Sequence, residues 1–193
     1  MFRIPLKLSR RQQFIFVLVW LLAALSVLNL WPSGDQNEFK TITHERYGFS
    51  LQYPARWRAA LYGENGLRGN RETKLRITGS GLEAFSVNVY YQQLEHPTME
   101  DAIKLTDAYI KRGDFYASSE NLPLCTLSER YEELLKNKIV IKQKYNCHDS
   151  YYYQVLFPRQ NDIIIIEYEA SSDVYEKYLP EFEAIVNSFT PLD

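Results

Sequence analysis

The sequence has few of the residues that most often carry chemistry. Among its 193 residues are only two cysteines, three histidines and two methionines. Metal sites are built from converging cysteine, histidine and carboxylate ligands, and no pair of cysteines and histidines here has the CxxC or helical spacing typical of them. The weak metal candidates are His148 and Asp149, in the triplet CHD, for which a solvated turn is the better explanation. We therefore expect no metal and no other cofactor.

Motifs for nucleotide binding and acyl transfer are also missing. The stretch GENGLRGN at 63–70 is rich in glycine, but it lacks the GxxxxGK[ST] order of a phosphate-binding loop. The GSG at 79–81 indicates a turn rather than the GxSxG of a hydrolase. We predict that the chain is not an enzyme. An enzyme whose site cannot be recognised from the sequence remains an alternative.

Basic residues outnumber acidic residues at the N-terminus but not in the rest of the chain. Of the 22 lysines and arginines, four (Arg3, Lys7, Arg10 and Arg11) lie in the first 34 residues, which hold no acidic residue. The remainder therefore has 18 basic and 24 acidic residues, a formal charge of −6. Nucleic-acid-binding domains carry an excess of the opposite sign, so we predict no nucleic-acid partner.

One hydrophobic run is long enough to matter for membranes, FIFVLVWLLAALSVLNLW at 14–31. At about 1.5 Å per residue, a helix of this length nearly spans the ~30 Å hydrocarbon core of a bilayer. Lysine and arginine stay preferentially on the cytoplasmic side, which places the basic tail 1–13 in the cytoplasm. We predict a single-pass membrane anchor at 14–31, a polar linker at 32–38 and one extracytoplasmic domain at 39–193, in a periplasm, in a lumen or at a cell surface.

A cleaved signal peptide is the alternative for this segment. Signal peptides have a shorter apolar region, of about 7 to 15 residues, followed by an A-x-A-like cleavage site. Here the longer run leads into LNLWPSGDQ, in which Pro32 and Gly34 make a poor cleavage site, and no cysteine follows that could accept a lipid. We favour the uncleaved anchor.

Strand patterns dominate the rest of the chain. Apolar residues alternate in YGFSLQY, KLRIT and AFSVNVYY, and three further segments fit strands, at 139–147, 151–157 and 163–170. The last of these contains DIIIIEY, a run typical of a central strand buried on both faces. Segment 125–139 suits either a helix or a strand. Aromatic residues at 15% of the composition also favour sheets.

Two segments change to helical spacing. An amphipathic helix opens after Pro97 and Thr98 and ends near Gly113. A second apolar stripe runs from Tyr175 to Phe189 with Pro180 inside it, where we expect a kink or the start of a second short helix. Strands interleaved with helices that cover their sheet predict an α+β fold.

The two cysteines raise the question of a disulfide. If the chain forms a hairpin centred near Lys136, Cys125 and Cys147 lie opposite each other, within reach of a cross-strand bond. An extracytoplasmic compartment permits such a bond. The alternative is two unrelated buried thiols.

Three consecutive tyrosines, Tyr151, Tyr152 and Tyr153, are candidates for a partner interface. Successive side chains of a strand point to opposite faces, so part of the set must leave the core or lie under a helix. Tyrosine is favoured at interfaces because it combines apolar area with a polar tip. Simple packing in the core and at its rim is the alternative.

Two short stretches together resemble a known family. YGFSLQYPARW at 47–57 resembles the opening strand and Pro-x-x-Trp turn of the PsbP-like proteins. YLPEFEAIVNSF at 178–189 is similar to the closing helix of the same group. The resemblance covers about residues 40 to 190. The positions that carry it are Tyr47, Gly48, Phe49, Pro54, Trp57, Phe182 and Phe189.

This resemblance implies an α-β-α sandwich around a central antiparallel sheet, used mainly for docking or assembly. The best known PsbP-like protein is an extrinsic subunit of the oxygen-evolving complex of photosystem II. A permanent anchor departs from that soluble plant subunit, so we expect a different role on the same fold. The expected function is a non-catalytic, membrane-tethered accessory subunit or assembly factor of a membrane protein complex. An extracytoplasmic carrier of a small ligand or metal is the other alternative.

Overall fold

The structure is a computed structural model, and it describes residues 38–63, 72–79, 84–112 and 125–192. The predicted cytoplasmic tail, the anchor at 14–31 and the linker up to residue 37 lie outside the described residues, as does most of GENGLRGN. Among the described residues, no helix combines the length and the apolarity needed to cross a bilayer.

Strands make up most of the described chain, which also holds two α-helices. In chain order the elements are β1 (Phe39–His44), β2 (Phe49–Pro54), β3 (Arg58–Leu61), β4 (Glu72–Thr78), β5 (Phe85–Gln93), α1 (Met99–Arg112), β6 (Thr126–Leu135), β7 (Lys138–Cys147), β8 (Ser150–Pro158), β9 (Asp162–Ser171), α2 (Tyr175–Ser188) and β10 (Thr190–Pro191). The predicted α+β class, the strands and both helical segments are confirmed. The ambiguous segment 125–139 forms strand β6 and the turn after it.

The strands form two antiparallel sheets. The larger has seven strands in the order β3-β4-β5-β9-β8-β7-β6, and the smaller has the order β1-β2-β10. Helix α2 and β2 pack on one face of the larger sheet around a continuous apolar core. Helix α1 packs on the other face, against apolar residues of β7, β8 and β9. The result is the predicted sandwich, with the small sheet as an additional part of one layer.

Strand β9 lies in the middle of the larger sheet and is buried on both faces, as its apolar run predicts. Ile164, Ile166 and Tyr168 belong to the core on the α2 side. Ile163 and Ile165 belong to the core on the α1 side. Each fully buried isoleucine contributes roughly 1.5–3 kcal/mol to folding, so β9 stabilises both layers.

Helix α1 begins where the sequence predicts. The backbone N–H of Asp101 donates to Thr98 Oγ1 at 3.2 Å, and the Thr98 N–H donates to Asp101 Oδ2 at 2.9 Å. This reciprocal arrangement is a capping box, in which two backbone donors at the helix start find side-chain acceptors. The hydrogen bonds from Thr98 also lower the pKa of Asp101.

Helix α2 is a single helix, and Pro180 lies inside it. The alternative prediction, a second short helix starting near Pro180, is wrong. Proline deprives a helix of one backbone donor, which costs about 3 kcal/mol in an interior. Phe182, Ile185 and Val186 are fully buried after it, and their packing keeps the helix continuous.

The residues that carry the family resemblance build the fold. Tyr47 ends a short 3-10 helix (Glu45–Tyr47) rather than starting the strand, and Gly48 adopts φ 61° so that β2 can begin at Phe49. Pro54 ends β2, and the chain then turns through a hydrogen bond from the Trp57 N–H to the Pro54 carbonyl at 2.9 Å. This turn places the Trp57 ring in the core, against Phe85 and Tyr178.

Candidate functional site

A carboxylate is buried on the sheet face beneath α1. Glu167, on β9, is only 3% exposed. Its two oxygens accept hydrogen bonds from Tyr90 Oη at 2.9 Å and from Tyr145 Oη at 2.8 Å. The side-chain amide of Gln154 donates to it as well. Burying a carboxylate is costly unless donors replace the water that it loses, and these neighbours supply them.

Further hydrogen bonds extend this contact across the sheet to α1. Gln154 accepts from Gln143 Nε2 at 2.6 Å, and Gln143 accepts from Arg130 Nε at 2.8 Å. Arg130 in turn donates to Asp107 on α1. The strand register places Gln143 opposite Gln154 and Gln154 opposite Glu167. We call the following set the polar network: Tyr90, Asp107, Arg130, Gln143, Tyr145, Gln154 and Glu167.

The polar network fixes how α1 lies on the sheet. Its members bond to one another across five strands and one helix, and a fully satisfied buried network specifies one packing arrangement. Shifting a strand by one residue would turn Gln143 or Gln154 to the other face and leave its partners unpaired. The network therefore selects the register, and its polar groups are held by each other.

An aromatic cluster that shares Tyr145 with the polar network packs under the end of α1. The rings of Tyr145 and Tyr152 stack with centroids 4.7 Å apart and planes within 3°. Ile110 and Cys147 join them in the same small core. Tyr152 Oη also donates to Glu169 Oε1 at 3.2 Å. Through this bond the cluster reaches the wall of a neighbouring cavity.

This cavity lies where β5 starts and β9 ends, and its volume is about 350 Å³. Its wall includes a cation and an anion, Arg76 and Glu169, which lie on β4 and β9. Three residues with hydroxyl groups and one aromatic residue, Phe85, also line it. The three hydroxyl residues are Ser86, Ser150 and Ser171.

The β6–β7 hairpin exposes apolar side chains on its edge strand and at its tip. Its two-residue turn, Lys136 and Asn137, has φ values of 49° and 64°, as a tight hairpin turn requires. Leu134 and Ile139 pair with each other next to this turn and are 67% and 56% exposed. We call residues 134–139 the hairpin tip. Leu127 and Tyr131, both on β6, are also exposed large hydrophobic residues.

An ion-pair group supports the hairpin from the α2 side. Lys142 is 5% exposed, and its Nζ lies 3.1 Å from Glu133 Oε2 and 3.3 Å from Glu183 Oε2. Burial alone would lower the pKa of Lys142, but the two carboxylates outweigh that effect and raise it. This contact joins β6, β7 and α2, so the base of the hairpin is firmly held.

The structure brings one predicted pair together. Cys125 and Cys147 form a disulfide, with their Cα atoms 4.4 Å apart. Cys147 is therefore not available as a thiolate ligand. His148 and Asp149 lie in the exposed turn between β7 and β8, and no group of three or more histidine, cysteine, aspartate and glutamate side chains that could hold a metal occurs within the residues that the structure describes.

The three consecutive tyrosines are separated by the sheet, which corrects the interface prediction. Tyr152 and Tyr153 are 7% and 1% exposed, so neither can present its ring to a partner. Burial raises the pKa of Tyr153 far above its ordinary value, and hydrogen bonding to Tyr131 adds to the effect. Only Tyr151, at 42% exposed, remains on the surface.

The sequence interpretation missed the polar network entirely. Its signal is an uncharged or acidic polar residue inside each of three strands, Gln143 in KIVIKQKY, Gln154 in SYYYQVLF and Glu167 in DIIIIEY. Aligning those strands as consecutive antiparallel neighbours would have placed Gln143, Gln154 and Glu167 side by side. No single strand carries that information, because a lone polar residue in a strand also fits an exposed position.

Comparison with known proteins finds matches among solved structures. No protein-family model and no curated protein matches the sequence. The solution structure of cyanobacterial PsbP (CyanoP) from Synechocystis sp. PCC 6803 is similar with a TM-score of 0.62 and 11% identity, over 84% of this chain and 99% of that one.

A mycobacterial protein shares the architecture. The crystal structure of LpqN, described as involved in cell envelope biogenesis of Mycobacterium tuberculosis, is similar with a TM-score of 0.54 and 12% identity, over 81% of this chain and 91% of that one. Identities this low establish a common fold and leave function open. The described domain has a PsbP-like fold.

Proposed function

We propose that the chain is a non-catalytic, membrane-tethered binding module that acts as an accessory subunit or assembly factor of a membrane protein complex on the extracytoplasmic side. The observation that carries the proposal is the exposed apolar surface of the β6–β7 hairpin. Leu134 and Ile139 expose more than half of their surface, a larger fraction than any other large hydrophobic residue that the structure describes. Exposed apolar surface that is grouped in this way marks contact sites for other proteins.

The position of the hairpin tip supports this assignment. Lys136 Nζ donates to the Phe189 carbonyl at 3.0 Å, and the Phe189 ring contacts Phe49 at the start of β2. Phe39, the first strand residue, pairs instead with Pro54 at the other end of β2. The tip and the point where the chain enters the domain are thus at opposite ends of β2.

The chemistry of the polar network is consistent with a binding role. Glu167 and its donors face one another under α1, and an acid or base in catalysis must instead reach the proton of a bound substrate. The resemblance to PsbP-like proteins, whose domains serve docking and assembly, points in the same direction. The predicted anchor at 14–31 supplies the tether in this proposal.

Purification of the full chain from its native membranes in mild detergent tests the proposal. The chain should co-purify with a complex in fixed proportion, identified by mass spectrometry and recovered again when a subunit of that complex is purified. The double variant Leu134→Ser, Ile139→Ser should lose this association, because it removes the apolar contact without touching the core. Leu61→Ser is the matched control, since Leu61 is 47% exposed on β3 at the opposite edge of the sheet.

Two results would contradict the proposal. One is recovery of the full chain alone, with no companion in fixed proportion. The other is an unchanged complex with the double variant. Release of the full chain from membranes by an alkaline wash, which removes peripheral proteins and leaves spanning helices in place, would separately contradict the tether.

A further inference from the structure

We propose that strand β6 pairs with β6 of a second copy of this chain, antiparallel and with Tyr131 at the centre, so that two seven-stranded sheets become one continuous sheet. The free edge of a sheet is recognised by another extended strand, and a strand that is complementary to itself fits a second copy of the same chain. This pairing requires neither the turn of the hairpin tip nor the proposed partner complex.

Strand β6 is a long edge strand that lacks the usual protection. It ends the larger sheet, and among the strands of the described residues it pairs with β7 alone. Its ten residues, Thr126–Leu135, include no lysine, proline or glycine. Strand β3, at the opposite edge, has only four residues. Proteins usually keep exposed edges short or place lysine and proline on them, because an unpaired edge is a template for another strand. Strand β6 therefore offers a pairing surface that β3 does not.

The geometry of the turn shows which backbone groups of β6 point outwards. Leu135 and Lys138 flank the two-residue turn and lie opposite each other, so their N–H and C=O groups face each other across the hairpin. These groups alternate sides along a strand, and the register shift of β6 lies before Glu129. The backbone groups of Arg130 and Glu132 therefore point away from β7, where a second strand can bond to them.

The charges on β6 favour one register for this pairing. With Tyr131 opposite the partner's Tyr131, Arg130 lies opposite the partner's Glu132, and the two-fold symmetry makes this pair occur twice. Opposite charges that face each other on neighbouring strands stabilise an antiparallel pair. A register centred on Arg130 or on Glu132 would place like charges opposite each other instead, which destabilises the pair.

Both members of this ion pair have capacity for it. Glu132 is exposed, and its carboxylate forms no ion pair with any residue in the part of the chain that the structure describes. Arg130 donates to Gln143 through Nε and to Asp107 through Nη2. A guanidinium has five N–H donors, so Arg130 can hold these partners and still donate to a carboxylate across the edge.

The other face of the proposed pair carries an aromatic residue and neutralised acids. Tyr131 is 38% exposed, and pairing places it beside its own copy, where aromatic cross-strand pairs add stability. The register also sets Glu129 opposite the partner's Glu133. Within each copy, however, Lys144 lies 3.1 Å from Glu129 and Lys142 lies 3.1 Å from Glu133. These lysines offset the repulsion between the two carboxylates.

Cysteine cross-linking of the full chain in detergent tests the register. The backbone groups of Tyr131 point towards β7, so the two copies of this residue form a non-hydrogen-bonded pair, with Cα atoms about 4.5 Å apart. A disulfide accepts about 4.4–6.8 Å. Tyr131→Cys should therefore give a covalent dimer under mild oxidation, which reductant reverses, and peptide mapping should show the new cysteine bonded to its own copy. Glu129→Cys is the matched control, because in this register its two copies are ~14 Å apart.

Sedimentation of the full chain in detergent tests the charges without a cross-link. We expect the native chain to dimerise reversibly at micromolar concentration. Glu132→Lys places a lysine opposite Arg130 in both symmetric pairs, so it should weaken dimerisation at least about tenfold. Glu95→Lys makes the same change of charge at an exposed position after β5, which three strands separate from β6, and should leave dimerisation unchanged. Both variants should unfold at the native temperature, because both positions are exposed.

Three results would overturn the proposal. They are a native chain that stays monomeric at every concentration, cross-linking of Glu129→Cys as readily as of Tyr131→Cys, and unchanged dimerisation of Glu132→Lys. None of these variants changes Leu134 or Ile139, so the outcome is distinct from that of the hairpin-tip variant and its partner complex.

Discussion

The guanidinium of Arg159 donates to the backbone carbonyl of Gly48 at 2.7 Å, across 111 residues of sequence. A second nitrogen of the same group donates to the carbonyl of Tyr47 at 2.9 Å, and Asp162 binds the guanidinium from the other side. The arginine thus clamps the turn before β2 to the loop between β8 and β9. This contact holds the backbone of the Tyr-Gly pair of the family motif in place.

Gly48→Ala should destabilise the domain. Gly48 has φ 61°, and a Cβ atom there would lie 3.0 Å from the Leu192 carbonyl oxygen and 3.3 Å from Arg159 Nη1. We expect the free energy of unfolding to fall by about 1–3 kcal/mol, measured by urea denaturation. Gly63→Ala is the matched control, because a Cβ at Gly63 meets nothing within 4 Å. If Gly48→Ala lowers the free energy of unfolding no more than Gly63→Ala does, the turn tolerates a side chain at position 48 and the prediction is wrong.

Arg159→Met should cost more than the loss of a surface ion pair. It leaves the carboxylate of Asp162, which is 9% exposed, without its partner, and breaking a buried pair costs roughly 3–5 kcal/mol. Arg56→Met removes a contact with Glu181 at 2.6 Å that is partly exposed, so it should cost no more than about 1 kcal/mol. Urea denaturation measures both. A smaller loss for Arg159→Met than for Arg56→Met would contradict the clamp.

Glu167→Gln tests the polar network. A glutamine presents an amide donor to neighbours that already donate, Tyr145 and Gln154, so at least one buried donor loses its acceptor. The expected cost is about 1–3 kcal/mol. Glu176→Gln, on the exposed side of α2, should change the stability by no more than about 0.5 kcal/mol. If hydrogen exchange of α1 is not accelerated in Glu167→Gln, the network does not hold the helix.

Reduction of the disulfide should lower stability without unfolding the domain. The bond joins residues 22 apart in sequence, and closing a loop of this length is worth about 3 kcal/mol in the chain-entropy account. The double variant Cys125→Ser, Cys147→Ser should show the same loss without a reductant, and reductant should have no further effect on it. Equal stability of the native protein with and without reductant would argue against a bonded pair.

Alkaline pH should destabilise the domain through its buried tyrosines. Burial raises the pKa values of Tyr153, Tyr168 and Tyr175 above the ordinary value. Above about pH 10 the unfolded chain loses these protons and the folded chain keeps them, so stability is full below that pH and falls as the pH rises. Tyrosinate absorbance should therefore reach its full amplitude only when circular dichroism shows unfolding. Full amplitude with a native spectrum would refute this.

Local sequence patterns predicted most of the strands and helices. They did not predict which residues distant in sequence contact one another. The alternation in YGFSLQY and the apolar run in DIIIIEY identify strands because the period of side chains depends on neighbours in sequence. The clamp from Arg159 to Gly48 and the alignment of Gln143, Gln154 and Glu167 depend on which strands are neighbours in space. Tyr152 and Tyr153 show the same limit. Tyrosine is a residue type favoured at interfaces, but the pairing of β8 with its two neighbouring strands places both side chains in the interior.

The placement of β10 beside β2 has a consequence for how the protein is made. The Leu192 N–H donates to the Gly48 carbonyl at 2.9 Å, and Phe189 covers Phe49. During synthesis, β1 and β2 are therefore made long before the residues that cover them. Until the last turn of α2 arrives, those strands display unpaired edges and an uncovered apolar face. Residues 189–192 therefore complete the packing of strands that are made about 140 residues earlier in the sequence.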